Sequence, residues 1–136
     1  MLKDKGQSLV ELAISFVILI YLLSGAVEFG IAFFQFVQLR DAAQEGALYG
    51  SIHPDDTVSI EKRIRGASNS PINLTSQDVR VDILYGHAQV CEGNFIKVIV
   101  SYPHKIFMPF LPQLLGTDVL WLHGEVTDTI LRPVCQ

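Results

Sequence analysis

One apolar run constrains this chain more than any other feature. Between Leu9 and Leu39 the only formally charged residues are Glu11 and Glu28. A continuous helix over that run would be about 46 Å long, because an α-helix rises about 1.5 Å per residue, whereas a hydrocarbon core is about 30 Å thick. The run therefore predicts one membrane-spanning helix that is still helical where it leaves the bilayer.

The apolar run divides the chain into three predicted parts. These are a leader, a transmembrane and stalk helix, and an extracytoplasmic domain, at residues 1–6, 7–50 and 51–136. The run is longer than the roughly 7–15 apolar residues of a cleaved secretory signal, so we expect it to remain as an anchor. Lys3 and Lys5 precede it, and positive charge favours the cytoplasmic side. We predict a single-pass protein of the cell membrane with a cytoplasmic N-terminus.

Charge and cysteine usage bear on the environment of the C-terminal domain. From residue 51 onward, seven basic and nine acidic residues give a net charge of −2. Such a weak charge argues against a nucleic-acid partner, which would need a basic face. A disulfide between Cys91 and Cys135 would suit an oxidising compartment, and two buried free thiols are the alternative. No Cys/His spacing typical of a zinc site is present, so we predict no metal.

Alternation of apolar and polar residues predicts a small sheet in this domain. The first two predicted strands, 78–85 and 94–102, are joined by a loop and should pair antiparallel, with Pro103 ending the second. A third strand is predicted over 118–131, with a bend near Gly124.

One short helix is predicted to precede the sheet. Pro54 and the Asp55–Asp56 pair favour a turn that ends the stalk helix. Asp56 or Thr57 can then cap a helix over about residues 58–67. The chain as a whole is predicted to be α+β. A long N-terminal single-span helix carries a small domain of about three antiparallel strands and one short helix.

The segment from residue 104 to residue 116 is apolar but is interrupted by Pro109 and Pro112. It is too short and too broken to span a bilayer. Three interpretations remain open: it covers an open end of the sheet, it lies on the membrane surface, or it contacts a partner.

The start of the apolar run resembles a type IV prepilin processing site. Gly6 is followed by Gln7, and Glu11 would be the fifth residue after cleavage. The resemblance implies that Gly6 ends the leader and that Glu11 pairs with the α-amine of a neighbouring subunit, which fixes axial register. Alternatively, Glu11 lies at the headgroup boundary close to Lys3 and Lys5.

Two further motifs extend this resemblance. The Glu-Phe-Gly at 28–30 and the Ala-Ala-Gln-Glu-Gly-Ala at 42–47 are similar to the TadE-like family of bacterial pilus-assembly proteins, although Gln44 stands where Arg is common. The resemblance implies a pilin-like or pseudopilin-like component of a tight-adherence or type IV-like pilus and secretion system.

Small residues around the second glutamate predict a helix-packing face. Gly25, Ala26 and Gly30 surround Glu28, and small residues let a second helix approach closely in lipid. Together with Glu11, these residues form the predicted helix-packing set. The alternative is that Glu28 reaches the outer interface, because the apolar run is longer than the bilayer is thick.

The sequence carries no motif that points to catalysis. It has no P-loop, HExxH, GxSxG or CxxC. We therefore predict a non-enzymatic structural or assembly protein with no cofactor and no small-molecule substrate, whose partners are membrane lipid and other transmembrane helices or subunits. The alternative is an uncleaved single-span accessory subunit that stabilises a larger membrane complex, such as an energy-transducing assembly. The four histidines are scattered along the chain: His53, His87, His104 and His123.

The processing motif generates a direct prediction. We expect the mature protein to begin at Gln7, as measured by N-terminal sequencing of protein purified from the native membrane. A Gly6→Leu variant should keep its leader and serve as the size standard. Wild-type protein that still carries residues 1–6 would contradict the prepilin-like processing.

Overall fold

A single helix of 48 residues, α1 (Lys3–Gly50), dominates the structure. The computed structural model describes residues 3–86 and 90–132. At about 1.5 Å per residue, α1 is about 72 Å long, which confirms the predicted long N-terminal helix. Its first turns stand clear of the rest of the chain, and its last turns form part of a small C-terminal domain, here called the head.

The head is built on a three-stranded antiparallel sheet with the order β1-β2-β3. The strands are β1 (Arg80–Tyr85), β2 (Phe95–Lys105) and β3 (Val119–Thr129). Two short helices accompany the sheet, α2 (Thr57–Gly66) before it and α3 (Leu111–Leu115) between β2 and β3. The predicted α+β class is confirmed, and α3 is a second short helix that the sequence analysis did not predict.

The prediction that Pro103 ends the second strand was wrong. Strand β2 continues to Lys105, and Pro103 pairs with Trp121 of β3. The first strand begins at Arg80, opposite Ser101, so at Pro103 the second strand has a neighbour on one side only. Proline is tolerated at such an edge because its missing N–H does not interrupt a ladder on the open side.

The core of the head lies between the sheet and the last four turns of α1. Side chains from α1, α2 and the central strand meet there with no exposure to solvent. Small alanines on α1 bring the helix axis close to the sheet, and the larger aliphatic side chains of α2 and β2 fill the remaining space. The buried residues are Leu39, Ala42, Ala43, Ala47, Ile60, Ile64, Ile96, Val98 and Val100.

Three glycines allow the closest approaches within this core. A Cβ at Gly46 or Gly50 would collide with the side chains of Ile64 or Ile96. A Cβ at Gly124 would collide with the backbone of α1 at Leu39 and the residue after it. Strand β3 therefore crosses α1 at backbone contact, which only glycine permits.

A buried amide fixes the irregular segment between α2 and β1. The side-chain Nε2 of Gln38 donates to the carbonyl of Ile72 at 2.7 Å, and its Oε1 accepts from the amide of the same residue at 2.6 Å. Gln38 thus pairs with Ile72 as a neighbouring strand would, and it satisfies two backbone groups that would otherwise be buried without partners.

Of the two residues predicted to cap the short helix, Asp56 is the cap. The Asp56 carboxylate accepts from the backbone amide of Ser59 at 3.0 Å. Hydrogen bonds from Ser59 stabilise the ionised carboxylate and lower the pKa of Asp56 below its usual value. The cap therefore contributes to stability above the ordinary pKa of aspartate, and this contribution is lost as the pH falls through the lowered pKa.

The crossing at Gly124 generates a stability prediction. Gly124→Ala should destabilise the head by about 1–3 kcal/mol, because the backbone of α1 cannot move aside without disturbing the core. Gly66→Ala is the matched control, since a side chain there meets open space. Unfolding of the full chain in detergent micelles, followed by Trp121 fluorescence, would measure both. Equal stability of the two variants would contradict the close crossing.

Candidate functional site

The N-terminal part of α1 has no contact that buries it. Every side chain from Gly6 to Ile20 is exposed. Among the described residues, Gly6–Gly50 is the one helix whose length and hydropathy suit a membrane span. The most apolar 18-residue stretch of this helix has no buried residue. A helix in the core of a soluble domain would instead be mostly covered. The surface that α1 presents is that of a helix surrounded by lipid or by other helices.

Glu11 lies on this exposed part of the helix. Its Oε1 accepts from the side-chain amide of Gln7 at 3.4 Å, one helical turn earlier. Gly6 is also exposed, with open space where a side chain would stand. The two residues of the processing motif and Glu11 are therefore accessible from outside the chain. Cleavage after Gly6 and the pairing of Glu11 with another subunit stay predictions.

Glu28 is bound to the head within its own chain. Its Oε1 lies 2.9 Å from Nε2 of His104, and the backbone amide of Phe107 donates to both carboxylate oxygens at 3.1 and 3.2 Å. The side chains of His104 and Glu28 are only 2% and 13% exposed. The carboxylate in the apolar run thus has three hydrogen bonds from one short segment of the head.

The end of strand β2 brings this segment to the helix. His104 is paired with Leu120 near the end of the β2–β3 ladder, and the chain then turns along α1 towards its N-terminus. We call residues 106–115 the apolar tip. The Tyr21 hydroxyl donates to the carbonyl of Pro109. Met108 packs on Gly25, with its sulfur 3.8 Å from the point where a Cβ on Gly25 would lie.

An open groove remains on each side of the apolar tip where it lies on α1. One groove, of about 320 Å³, lies between Ile20, Val27 and Phe107. The other, of about 200 Å³, lies between Phe29, Ala32 and Leu111. Both are apolar, and both share Glu28 and Met108 as their common wall. The contact between tip and helix is therefore a narrow one, made through a few specific groups.

The predicted helix-packing residues lie in different surroundings. Gly25 is covered by Met108 of the apolar tip, and Glu28 is held by His104. Ala26 is exposed, and a side chain at Gly30 would meet open space. The role of these residues in packing against a second helix stays a prediction.

Sequence reasoning missed the partnership of Glu28 with His104. The two residues are 76 positions apart, so no local periodicity links them. One signal was available: each is an isolated polar residue in an apolar segment, and such groups need a partner when they leave water.

The predicted disulfide lies partly outside the described residues. Cys91 is buried, and its Sγ accepts from the side-chain amide of Asn94 at 3.7 Å. Cys135 lies outside the described residues, as does His87. The Cys91–Cys135 bond therefore stays a prediction.

Within residues 3–86 and 90–132, no group of three or more His, Cys, Asp or Glu side chains could hold a metal ion. One Ser–His contact on the sheet is of the kind that activates a nucleophilic serine: the Ser101 hydroxyl lies 2.8 Å from Nδ1 of His123. Ser101 is only 5% exposed. Its oxygen is therefore closed to a substrate, and the contact is more simply a cross-strand hydrogen bond.

Over the described residues, the exposed apolar helix and the α+β head define a protein with one candidate membrane span and a small globular domain. Residues 6–48 match the family model described as TadE-like protein. This match contains both glutamate motifs and confirms the predicted resemblance, so the N-terminal segment of the chain is similar to that of TadE-like proteins.

One curated relative is similar to a part of the chain. It is a protein named ATP synthase subunit delta from Parabacteroides distasonis, 27% identical over 78 residues, which are 55% of this chain and 43% of that protein. The chain therefore covers less than half the length of that relative. No solved structure matches the chain.

The two glutamates of α1 form a matched pair for testing the contact with the head. Glu28→Ala should destabilise the head by about 2 kcal/mol, because it leaves the Phe107 amide and His104 without their acceptor. Hydrogen exchange of residues 104–115 in micelles should rise. Glu11→Ala should change neither quantity, since Glu11 is far from the head. If both variants exchange like the wild type, Glu28 does not hold the tip.

Proposed function

We propose that this chain is a non-enzymatic, membrane-anchored, pilin-like structural or assembly protein that acts by helix–helix packing in the membrane. One observation carries the proposal: the exposed apolar surface of α1 from Gly6 to Ile20 belongs to the segment that matches TadE-like proteins. A surface of this kind needs lipid or other helices around it, and the match supports a pilus-related assembly.

Glu11 would set the register between subunits. A carboxylate inside the apolar run is costly in hydrocarbon unless it has a partner. The side-chain amide of Gln7 donates to one carboxylate oxygen of Glu11 and does not neutralise its charge. Cleavage after Gly6 would release an α-amine of opposite charge at the same end of a neighbouring helix. Pairing of the two would neutralise both charges and fix the axial offset of the helices.

Lateral contact would use the small residues that the head leaves uncovered. Ala26 and Gly30 are open, so a second helix could approach α1 closely there. Glu28 is engaged with the head, and in this proposal it holds the head to the helix. We further propose that the N-terminus is cytoplasmic and the head extracytoplasmic, as the two leader lysines favour.

A second candidate function is an uncleaved accessory subunit of a larger membrane complex. The similarity to a protein named ATP synthase subunit delta favours it, since it raises an energy-transducing assembly as one possible setting. The similarity covers 43% of that protein at 27% identity, which is weaker support than the family match over the membrane helix.

Replacement of Glu11 tests the proposed function. Glu11→Gln keeps the size of the side chain and removes its charge, so the amount of protein in sheared surface fibres or in large membrane assemblies should fall about tenfold or more. Glu125→Gln, which removes an ion pair with Lys97 on the surface of the sheet, should assemble normally.

Two results would contradict the pilin-like proposal. One is normal assembly of Glu11→Gln. The other is purification of the wild-type protein with its leader intact and in fixed proportion to the subunits of another membrane complex, which would establish the accessory role instead.

A further inference from the structure

The apolar tip lies beside the part of α1 that would be inside a bilayer. A hydrocarbon core about 30 Å thick takes about 20 helical residues. Counted from Leu9, the first residue of the apolar run, such a span ends at Glu28. Moving the span towards the head would place the tip deeper. Moving it the other way is opposed by the polar side chains of Gln7 and Ser8, which precede Leu9.

The contacts of the tip give its depth. It touches α1 from Glu28, which binds Phe107, to Tyr21, which binds Pro109. These helix positions are about 10 Å apart along the axis at about 1.5 Å per residue. The tip therefore reaches about 10 Å into the apolar layer, on the side of the membrane that carries the head.

The tip exposes large apolar side chains at this level. Phe107, Phe110 and Leu114 are 74%, 70% and 82% exposed, and helix α3 buries none of its residues. From Ile106 to Thr117 the chain has no charged residue. These three side chains therefore do not cover an end of the sheet, which was one of the three interpretations that the sequence left open for this segment.

Part of the backbone of the tip is hydrogen-bonded within the chain, as a low-dielectric environment favours. Glu28 accepts from the Phe107 amide, and Tyr21 donates to the Pro109 carbonyl. The amides of Leu114 and Gly116 donate to carbonyls within the tip. Pro109 and Pro112 have no N–H to satisfy. In water these groups would need no such partners, whereas in lipid each unpaired one is costly.

We propose that the apolar tip inserts into the membrane leaflet on the head's side, next to α1, so that the head has a second contact with the lipid. The proposal rests on the proposed function in one respect, because it requires α1 to cross the membrane. The side chains of the tip are continuous with the lipid-facing surface of α1, and this continuity favours lipid over a protein as the occupant.

The chain has one tryptophan, Trp121. Its replacement allows a single tryptophan to be introduced at any chosen position as a fluorescent reporter. In a Trp121→Phe background we would introduce Leu114→Trp in the tip, Leu19→Trp in the span, or Val58→Trp on the head. All three positions are exposed. The full chain is reconstituted in phosphatidylcholine–phosphatidylglycerol vesicles that contain acyl-brominated phosphatidylcholine, and fluorescence quenching is measured. Phe107→Trp provides a second tip position if Leu114→Trp misfolds.

Insertion predicts that bromolipid quenches the tip reporter about as strongly as Leu19→Trp, while Val58→Trp is quenched only by aqueous acrylamide. Quenching of Leu19→Trp without quenching of the tip reporters would overturn the proposal and leave the membrane anchor intact. Tip reporters shielded from both quenchers would overturn it in favour of contact with a second copy of the chain, since the vesicles contain no other protein. Failure of bromolipid to quench Leu19→Trp as well would overturn the anchor and the tip proposal together.

Discussion

The packing of the last four turns of α1 against the sheet is the interaction on which the rest of the structure depends. The chain has 86 residues beyond α1, and domains of this size bury little core by themselves. Leu39 and the alanines of α1 complete that core, and Gly124 lets β3 cross at backbone contact. The helix is therefore a structural part of the head as well as its anchor.

A second attachment is polar and lies nearer the apolar end of the helix. Glu28 accepts from His104 and from the Phe107 amide, so a carboxylate that would be costly in hydrocarbon is satisfied by the chain itself. The two attachments use different chemistry: burial of small side chains at one level of α1, and directed hydrogen bonds at the other. Loss of one should therefore leave the other in place.

Patterns within short stretches of sequence were sufficient to predict α1, α2, the three strands and the cap at Asp56. Each depends on local apolar periodicity or on a capping residue. The contact between Glu28 and His104 was not predictable in this way, since it depends on how far past Pro103 the second strand continues. That continuation is set by pairing with β3, 18 residues away at Trp121, and not by the local preference of proline.

The two attachments also have a geometric consequence. Glu28 and Leu39 are 11 residues apart on one continuous helix, or about 16 Å along its axis. Because the head is attached to α1 at two levels, it can neither rotate about the helix axis nor tilt away from the helix. The head therefore keeps one rotational setting about α1. The contacts that set the rotation of α1 about its own axis in the membrane therefore also set which face of the sheet points towards neighbouring molecules.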